Sequence, residues 1–539
     1  MKTKKLMYKT YVTLFVMLAV LVMVSPAWAT TYYVDATNGH DNNAGNSPQT
    51  AWKTIAKVNS SGFNPGDSIL FKTGEEWREQ LTVPSSGSSS TPIRLGAYGA
   101  GHNPIISGAD LLTGWAQTSG NIYQVPCTWT LRTVFEDGQH LRAVAFDSEI
   151  TITAAKMSPG TWTLDDPNDI LYVWSTDGAN PGTRTIEAPR RDNAIRAFNK
   201  DFVTLEYFEF RYANFDGVSI VKGENWVVRN ILTHSNFRYG LFSEDGNEIL
   251  YENSEAYNNQ AGFSFGGSIG TRNSTMRQVR SYSNNYITNS DGIRVLHCDH
   301  CIIESSEVYG NDNGGSSDGI EVNASKATTV RFNYVHDNGN SSIIFHGGSY
   351  GEIYYNIVDG AVNGINLARL DHGNTTVYNN SCYNNRLHII GLTPPYTLTI
   401  RNNIFHGGAG VAFLEEVSVD SSLVTLDNTI FFNTGGGTLI TWKGANYTLG
   451  QFATYQEASA KDTSIVAQDP RFLDPVSKTF YPQSTSPGIA TGVDVGLTRD
   501  YSGTSVPQGH GVDIGAYEFV YDDKLAPAAP TDLRIINGN

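Results

Sequence analysis

The sequence predicts an all-β chain wound as a parallel solenoid, with a capping helix at its N-terminal end and an inserted antiparallel β subdomain. Three observations predict it. Segments of one pattern recur down the middle of the chain, short strand-like runs alternate with tight turns, and no helical-period segment separates those runs. Composition agrees, since 53 glycines, 28 tyrosines and 11% aromatics suit many short strands joined by turns.

The repeat is explicit in VVRNILTHSN, LYENSEAYNN, IIESSEVYGN, VRFNYVHDNG, IYYNIVDGAV, VYNNSCYNNR and TIRNNIFHGG. Taking the polar turn residue as marker gives Tyr207, Asn230, Asn253, Gln278, Ser305, Asn333, Asn356, Asn380, Asn403 and Asn428, spaced by 23 to 28 residues. A second motif follows each marker, a Gly-containing turn entering a strand: DGVSIV, YGLFSE, AGFSFG, DGIRVL, DGIEVN and NGINLA. β-α-β units need helices that are missing, and a leucine-rich repeat needs an L-x-x-L-x-L-x-x-N ladder that is also missing. What remains is one coil per repeat, with like residues stacked between coils. Asn at the marker suits this arrangement. It tolerates the left-handed turn conformation, and stacked amides hydrogen-bond along the axis.

Upstream, residues 48 to 59 read as an amphipathic helix, with Pro48 in its first turn and Trp52, Ile55 and Ala56 on one face, suited to closing the edge of the first coil. Between 110 and 190 the period is lost, and Asp137-Gly138 and an Asp-Pro-Asn-Asp turn join short runs that read as antiparallel hairpins. Trp115, Trp129, Trp162 and Trp174 lie there, and core packing is the better reading than sugar stacking. The predicted organisation is 30–109 for the cap and first coils, 110–190 for the insert, 191–435 for the solenoid, and 436–520 for the C-terminal coils and cap. Residues 521–539 read as a proline-rich linker and tail.

Residues 1–29 carry Lys2, Lys4, Lys5 and Lys9, a 14-residue apolar run over 11–24, and Ala27-Trp28-Ala29. This is a signal peptide with an A-x-A cleavage site, and its run is shorter than the roughly 18 residues of a membrane span. Export to the extracellular or periplasmic space follows, with no membrane span. Removing the segment takes four lysines and moves the net charge from −16 to −20. Such a charge with no basic cluster excludes a nucleic-acid binder held by phosphate contacts. An anionic polymer would need a local cation or arginine site. The four cysteines, Cys127, Cys298, Cys301 and Cys382, are too few for a disulfide framework. In an exported chain the Cys298-x-x-Cys301 pair reads as a local disulfide or buried turn pair before a metal site.

The coil pattern, the opening YYVDATNGHDNNAGNSPQTAWKTIAKVN with PGDSILFKTGEEWRE and PIISGAD, and the closing DPRFLDP, STSPGIATGVDVG and HGVDIGAYEF together resemble the right-handed parallel β-helix proteins of the pectate-lyase-like superfamily. The resemblance extends over most of the mature chain. It implies a secreted, carbohydrate-active protein with a polysaccharide partner, read as a monomer. One scaffold carries several chemistries, so the site must decide the activity.

The two richest coils are adjacent, NSDGIRVLHCDHC and SSDGIEVNAS. Asp291 and Asp318 share a register one coil apart, about 4.8 Å across the strand spacing. Carboxylates so close must share a proton, bind a cation or pair with a base. In D-G-I-x-V the apolar residues point inward, which leaves Arg294 and Glu321 outward. His346, Asn366 and Arg369 extend the stripe one and two coils on, and His297 flanks it. Asp291, Arg294, Asp318, Glu321 and His346 are the catalytic candidates, and Asn366, Arg369 and His297 the substrate-binding ones.

Parallel β-helix pectate lyases of one type carry D-G-F, then D-D-G-x-D, with calcium on the acids and a lysine base in a G-F-K-x-G-G-like strand. This chain is similar in Asp291-Gly292, Asp318-Gly319 and Glu321, which makes those three acids the candidate calcium ligands. It departs at Ser317 and at His346, which stands where the lysine would be. Three readings stay open. β-Elimination from a uronic acid would use calcium or Arg294 to neutralise the carboxylate and His346 or an arginine as base, and is placed first. Glycoside hydrolysis would use the paired carboxyls, with separations of about 5 to 5.5 Å for retention and about 6.5 to 9.5 Å for inversion. The third is a non-catalytic glycan-binding surface protein, in which the Asp-Gly turns only cap backbone amides.

Overall fold

The computed structural model describes residues 29–144, 157–285, 290–314, 316–465 and 467–521. The expected signal peptide, save Ala29, and the expected tail beyond Tyr521 lie outside them. The chain is a parallel β-helix. Its coils contribute to a 23-stranded sheet that wraps two faces and to a 13-stranded sheet that forms the third. One coil runs Ile302–Glu304, Glu307–Tyr309, Ile320–Asn323, and the next begins at Thr328–Arg331. Alternation along each strand fills the interior. Ile293, Val295, Ile320, Val322, Ile343, Phe345, Ile365 and Leu367 are fully buried in successive coils of the 13-stranded sheet. Each such side chain contributes about 1.5–3 kcal/mol of hydrophobic stabilisation.

The turn between the first two strands of each coil holds one residue in the left-handed region. At Tyr207, Asn230, Asn253, Gln278, Ser305 and Asn428 it is the residue the repeat marks. In four coils it is not. Phe332, Tyr355, Asn379 and Asn402 take the positive φ, and Asn333, Asn356, Asn380 and Asn403 come one residue later and point inward. Two neighbouring positions of the turn both favour Asn for different reasons, and the spacing alone merges them. The inward asparagines form the expected amide ladder: Asn333 Nδ2 donates to Asn356 Oδ1 at 3.0 Å, Asn356 to Asn380 at 3.0 Å and Asn380 to Asn403 at 2.9 Å. A second ladder, not anticipated, joins Asn236, Asn259, Asn284, Asn311 and Asn338 at the next corner, with spacings of 2.9 to 3.2 Å. It explains the glycines of the DG motifs. A Cβ on Gly292 would come within 2.7 Å of Asn311 Nδ2, and one on Gly319 within 2.8 Å of Asn338 Nδ2.

The N-terminal helix differs from expectation. Pro48–Thr50 is a 3-10 turn and the α-helix spans only Ile55–Asn59. Between them Trp52 bridges Val34 of the first strand. Asp41 accepts the backbone amides of Lys53 and Thr54 at 2.9 and 3.0 Å. Strand pairing there outcompetes a continuous helix, although Ile55 and Val58 still bury against the first coils. The insert contains a five-stranded sheet, antiparallel apart from one edge pair, and a four-stranded antiparallel sheet. Trp162 is buried in its core, with Trp115 and Trp129 packed alongside. At the other end, Phe472, Phe480, Tyr481, Ile514, Tyr517 and Phe519 pack on outward Tyr334, Ile357, Ile404 and Ile430. A helix at Phe452–Ser459, absent from the sequence reading, also packs on the core through Phe452 and Tyr455. No helix among the described residues is long and apolar enough to cross a membrane.

Candidate functional site

Strands Asp291–Leu296 and Ile320–Asn323 pair in parallel, Ile293 with Ile320 and Arg294 with Glu321, so the two D-G-I-x-V motifs are in register. The backbone amide of Asp318 donates to Asp291 Oδ1 at 3.1 Å. Asp318 Oδ1 in turn accepts the Ser341 amide at 2.8 Å and Asn340 Nδ2 at 3.1 Å. Each Asp therefore caps the next coil. Asp216 is placed likewise in an earlier coil, but there Arg238 neutralises it through two hydrogen bonds of 2.8 and 2.6 Å.

The later pair differs in its outward neighbours. Arg294 Nε lies 2.6 Å from Glu321 Oε2 and 3.5 Å from Asp291 Oδ2. His346 Nε2 lies 2.8 Å from Glu321 Oε1. The carboxyls thus divide. Burial, then the charge of Glu321, raises the proton affinity of Asp291 far above the ordinary carboxylate range, against the pull of Arg294. Burial likewise pushes Asp318 up to about 6, although the Ser341 amide works against it. Glu321 is also buried, yet the hydrogen bond from His346 and the charge of Arg294 outweigh burial and hold it at about 2. Burial favours the neutral form of Arg294, but Glu321 and Asp291 more than offset this and raise its pKa.

The predicted stripe is rearranged at His346 and loses its outer members. The outward column runs Arg294, Glu321, Ile344, Asn366, His388. His346 belongs to the neighbouring column with Asn323 and joins the cluster by reaching across to Glu321. Asn366 is buried on the same face two coils below Glu321, where Nδ2 donates to Ser341 Oγ at 3.3 Å. His297 and Arg369 do not join. Both take positive φ in the turn that ends their strand, and the exposed His297 contacts Gly267 O at 3.0 Å. A turn residue of that kind is rotated off the strand face, which strand alternation does not reveal. Sequence reasoning missed Asn340, Ser341, Asn363, Arg386 and His388. Arg386-Leu387-His388 does flank an inward leucine as Gly292-Ile293-Arg294 flanks an inward isoleucine, but without the Asp-Gly that drew attention.

The residues present do not fit calcium. Arg294 already sits between Asp291 and Glu321, and both oxygens of Glu321 are engaged, one by the Arg294 guanidinium and one by the His346 ring. Among the described residues no group of three or more His, Cys, Asp and Glu side chains converges to hold a metal. Cys298 and Cys301 form a disulfide, and Cys127 and Cys382 are free and buried.

The family description "Right handed beta helix region" matches residues 269–413 and 364–452, which include this face. A stretch of 74 residues is 42% identical to lacto-N-biosidase of Bifidobacterium longum subsp. longum, covering 13% of this chain and 5% of that protein. Another of 88 residues is 31% identical to alpha-1,3-galactosidase A of Akkermansia muciniphila, covering 16% of this chain and 14% of that one. The matched stretches thus span only a small part of those relatives. Among solved structures, XylC in complex with xylose superposes with a TM-score of 0.60 at 13% identity, covering 91% of this chain and 98% of the other. At that identity the likeness bears on the fold alone. The register of the coils, the family match over part of the chain and this superposition agree on the fold, a right-handed parallel β-helix.

Proposed function

We propose that the chain is a carbohydrate-active enzyme that hydrolyses glycosidic bonds at the Asp291, Asp318 and Glu321 face. One observation carries the reading: neighbouring carboxyls have proton affinities pushed apart, Asp318 up to about 6 and Glu321 down to about 2. Glycoside hydrolysis needs such a division, one acid to protonate the leaving oxygen and one ionised carboxylate facing the positive charge that develops on the sugar. Asp318 is the proton donor. Glu321 is the ionised carboxylate, with Arg294 and His346 maintaining its charge, and protonated Asp291 beneath them avoids a second negative charge. Two partial relatives named as glycosidases support this class.

Elimination at a uronic acid, placed first on sequence grounds, is the second reading. What favours it is the outward position of Arg294, whose side chain is 27% exposed and able to meet a substrate carboxylate, beside His346 as base. Against it, Arg294 is already committed to two acids. Incubation with neutral and uronic-acid-containing polysaccharides, followed by product analysis, separates the readings. New reducing ends without an unsaturated product support hydrolysis, an unsaturated uronic product supports elimination, and binding without either supports the glycan-binding alternative.

A further inference from the structure

We infer that the same face continues into a subsite for the carboxylate of an acidic sugar, formed by Arg386 with Asn363, Asn366 and His388. The inference rests on the carbohydrate reading and narrows its substrate class.

Strand pairing sets Asn363 beside Ser341 and Arg386 beside Asn363, so Arg386 follows Asp318 three coils down the same sheet. Three strand spacings make that about 14 Å, a distance covered by a short run of sugar rings. Hydrogen bonds link the two places. Arg386 Nε donates to Asn363 Oδ1 at 2.8 Å, Asn363 Nδ2 approaches Ser341 Oγ at 3.5 Å, and the Ser341 amide donates to Asp318.

Arg386 differs from most of the part-buried arginines of the solenoid, although half-buried Arg401 and the exposed Arg196, Arg272 and Arg369 likewise have no carboxylate partner among the described residues. Arg229, Arg238, Arg277, Arg280, Arg294 and Arg331 each lie against a Glu or Asp. Among the described residues no carboxylate oxygen lies within 4.0 Å of half-buried Arg386. Burial lowers its pKa, offset only in part by Glu416. A guanidinium withdrawn from water and left with an amide oxygen is an unfilled fork, and a carboxylate fits that fork with two parallel hydrogen bonds.

Two neighbours are unfilled as well. Asn366 is 7% exposed, and its Oδ1 has no hydrogen-bond partner among the described residues. Neither ring nitrogen of His388 has one, Nε2 approaching Glu416 Oε1 at 3.5 Å without hydrogen-bond geometry. Buried polar atoms are nearly always paired, and sugar hydroxyls can donate to Asn366 Oδ1 and exchange hydrogen bonds with His388. The net charge of −16 disfavours an anionic glycan unless a local cation receives it.

Calorimetric titration of the Asp318→Asn chain with trigalacturonate and with neutral xylotriose tests this without turnover. Trigalacturonate is expected to bind about tenfold or more tightly than xylotriose. Arg386→Gln in that background should erase the preference and Arg386→Lys should retain part of it, with circular dichroism checking the fold. Should the Gln variant not fold, the Lys variant and a preference that weakens with salt carry the test. Equal binding of the two sugars, absence of trigalacturonate binding, or a preference untouched at Arg386 would overturn the subsite. A preference found in a chain whose parent cleaves nothing would leave the subsite standing and overturn the hydrolase reading.

Discussion

Asp318 and Asp291 are joined across one coil by a hydrogen bond from the amide of the first to the carboxyl of the second, at 3.1 Å. The contact belongs to the backbone architecture, yet it also fixes where the Asp318 side chain begins. Asp318→Asn tests which role dominates. Asn retains an acceptor for the Ser341 amide, so below about pH 4, where Asp318 is itself neutral, the melting temperature should change little. Loss of a proton donor should cost about 10²–10⁴ in turnover. Activity assays beside a thermal melt check this, and a fully active variant would remove Asp318 from the chemistry.

Catalysis should show an acid optimum. Glu321 must be ionised, which holds above about 2, and Asp318 must be protonated, which fails as pH rises through about 6. The rate is expected to fall tenfold per pH unit beyond the upper limit. In Glu321→Gln no pH should restore it. A profile rising from pH 6 to 8 would instead indicate a base that must lose its proton, as elimination requires.

The same carboxyl makes stability depend on pH. Its affinity is raised in the folded state, so the stabilisation is complete below 3.8 and is lost as pH rises to about 6. The window corresponds to a contribution on the order of 3 kcal/mol. Denaturant melts should find wild type losing stability relative to Asp318→Asn between pH 4 and 7. A constant difference would mean Asp318 keeps its ordinary affinity.

Asn356 is fully buried, donates to Asn380 Oδ1 and Val330 O, and accepts from the amide and side chain of Asn333. Asn356→Ala leaves several of these groups unpaired and should destabilise by roughly 2–4 kcal/mol. Substrate chemistry below the melting transition should be unchanged, because the ladder lies at another corner of the coil. A neutral effect on the melt would show that water replaces the amide.

Chelation should not matter. The Arg294 guanidinium already neutralises Glu321, and His346 occupies its other oxygen. Treatment with excess EDTA is expected to leave activity within assay error, and loss restored by calcium would overturn the arginine-centred account.

The sequence by itself determined the winding. Period, inward aliphatics and corner asparagines are local, repeated signals, and a parallel solenoid turns sequence spacing directly into spatial stacking. That is why Asp291 with Asp318, and Arg294 with Glu321, could be paired from their motifs alone. Only the tertiary structure decided what breaks the repeat. The first helix yielded to a bridge between Trp52 and Val34, and His297 and Arg369 turned off the face through left-handed φ. His346 reached Glu321 from the neighbouring column, and Arg386 emerged as a guanidinium without a carboxylate. Each of these depends on which groups meet across coils and which are withheld from water, and one-dimensional periodicity records neither.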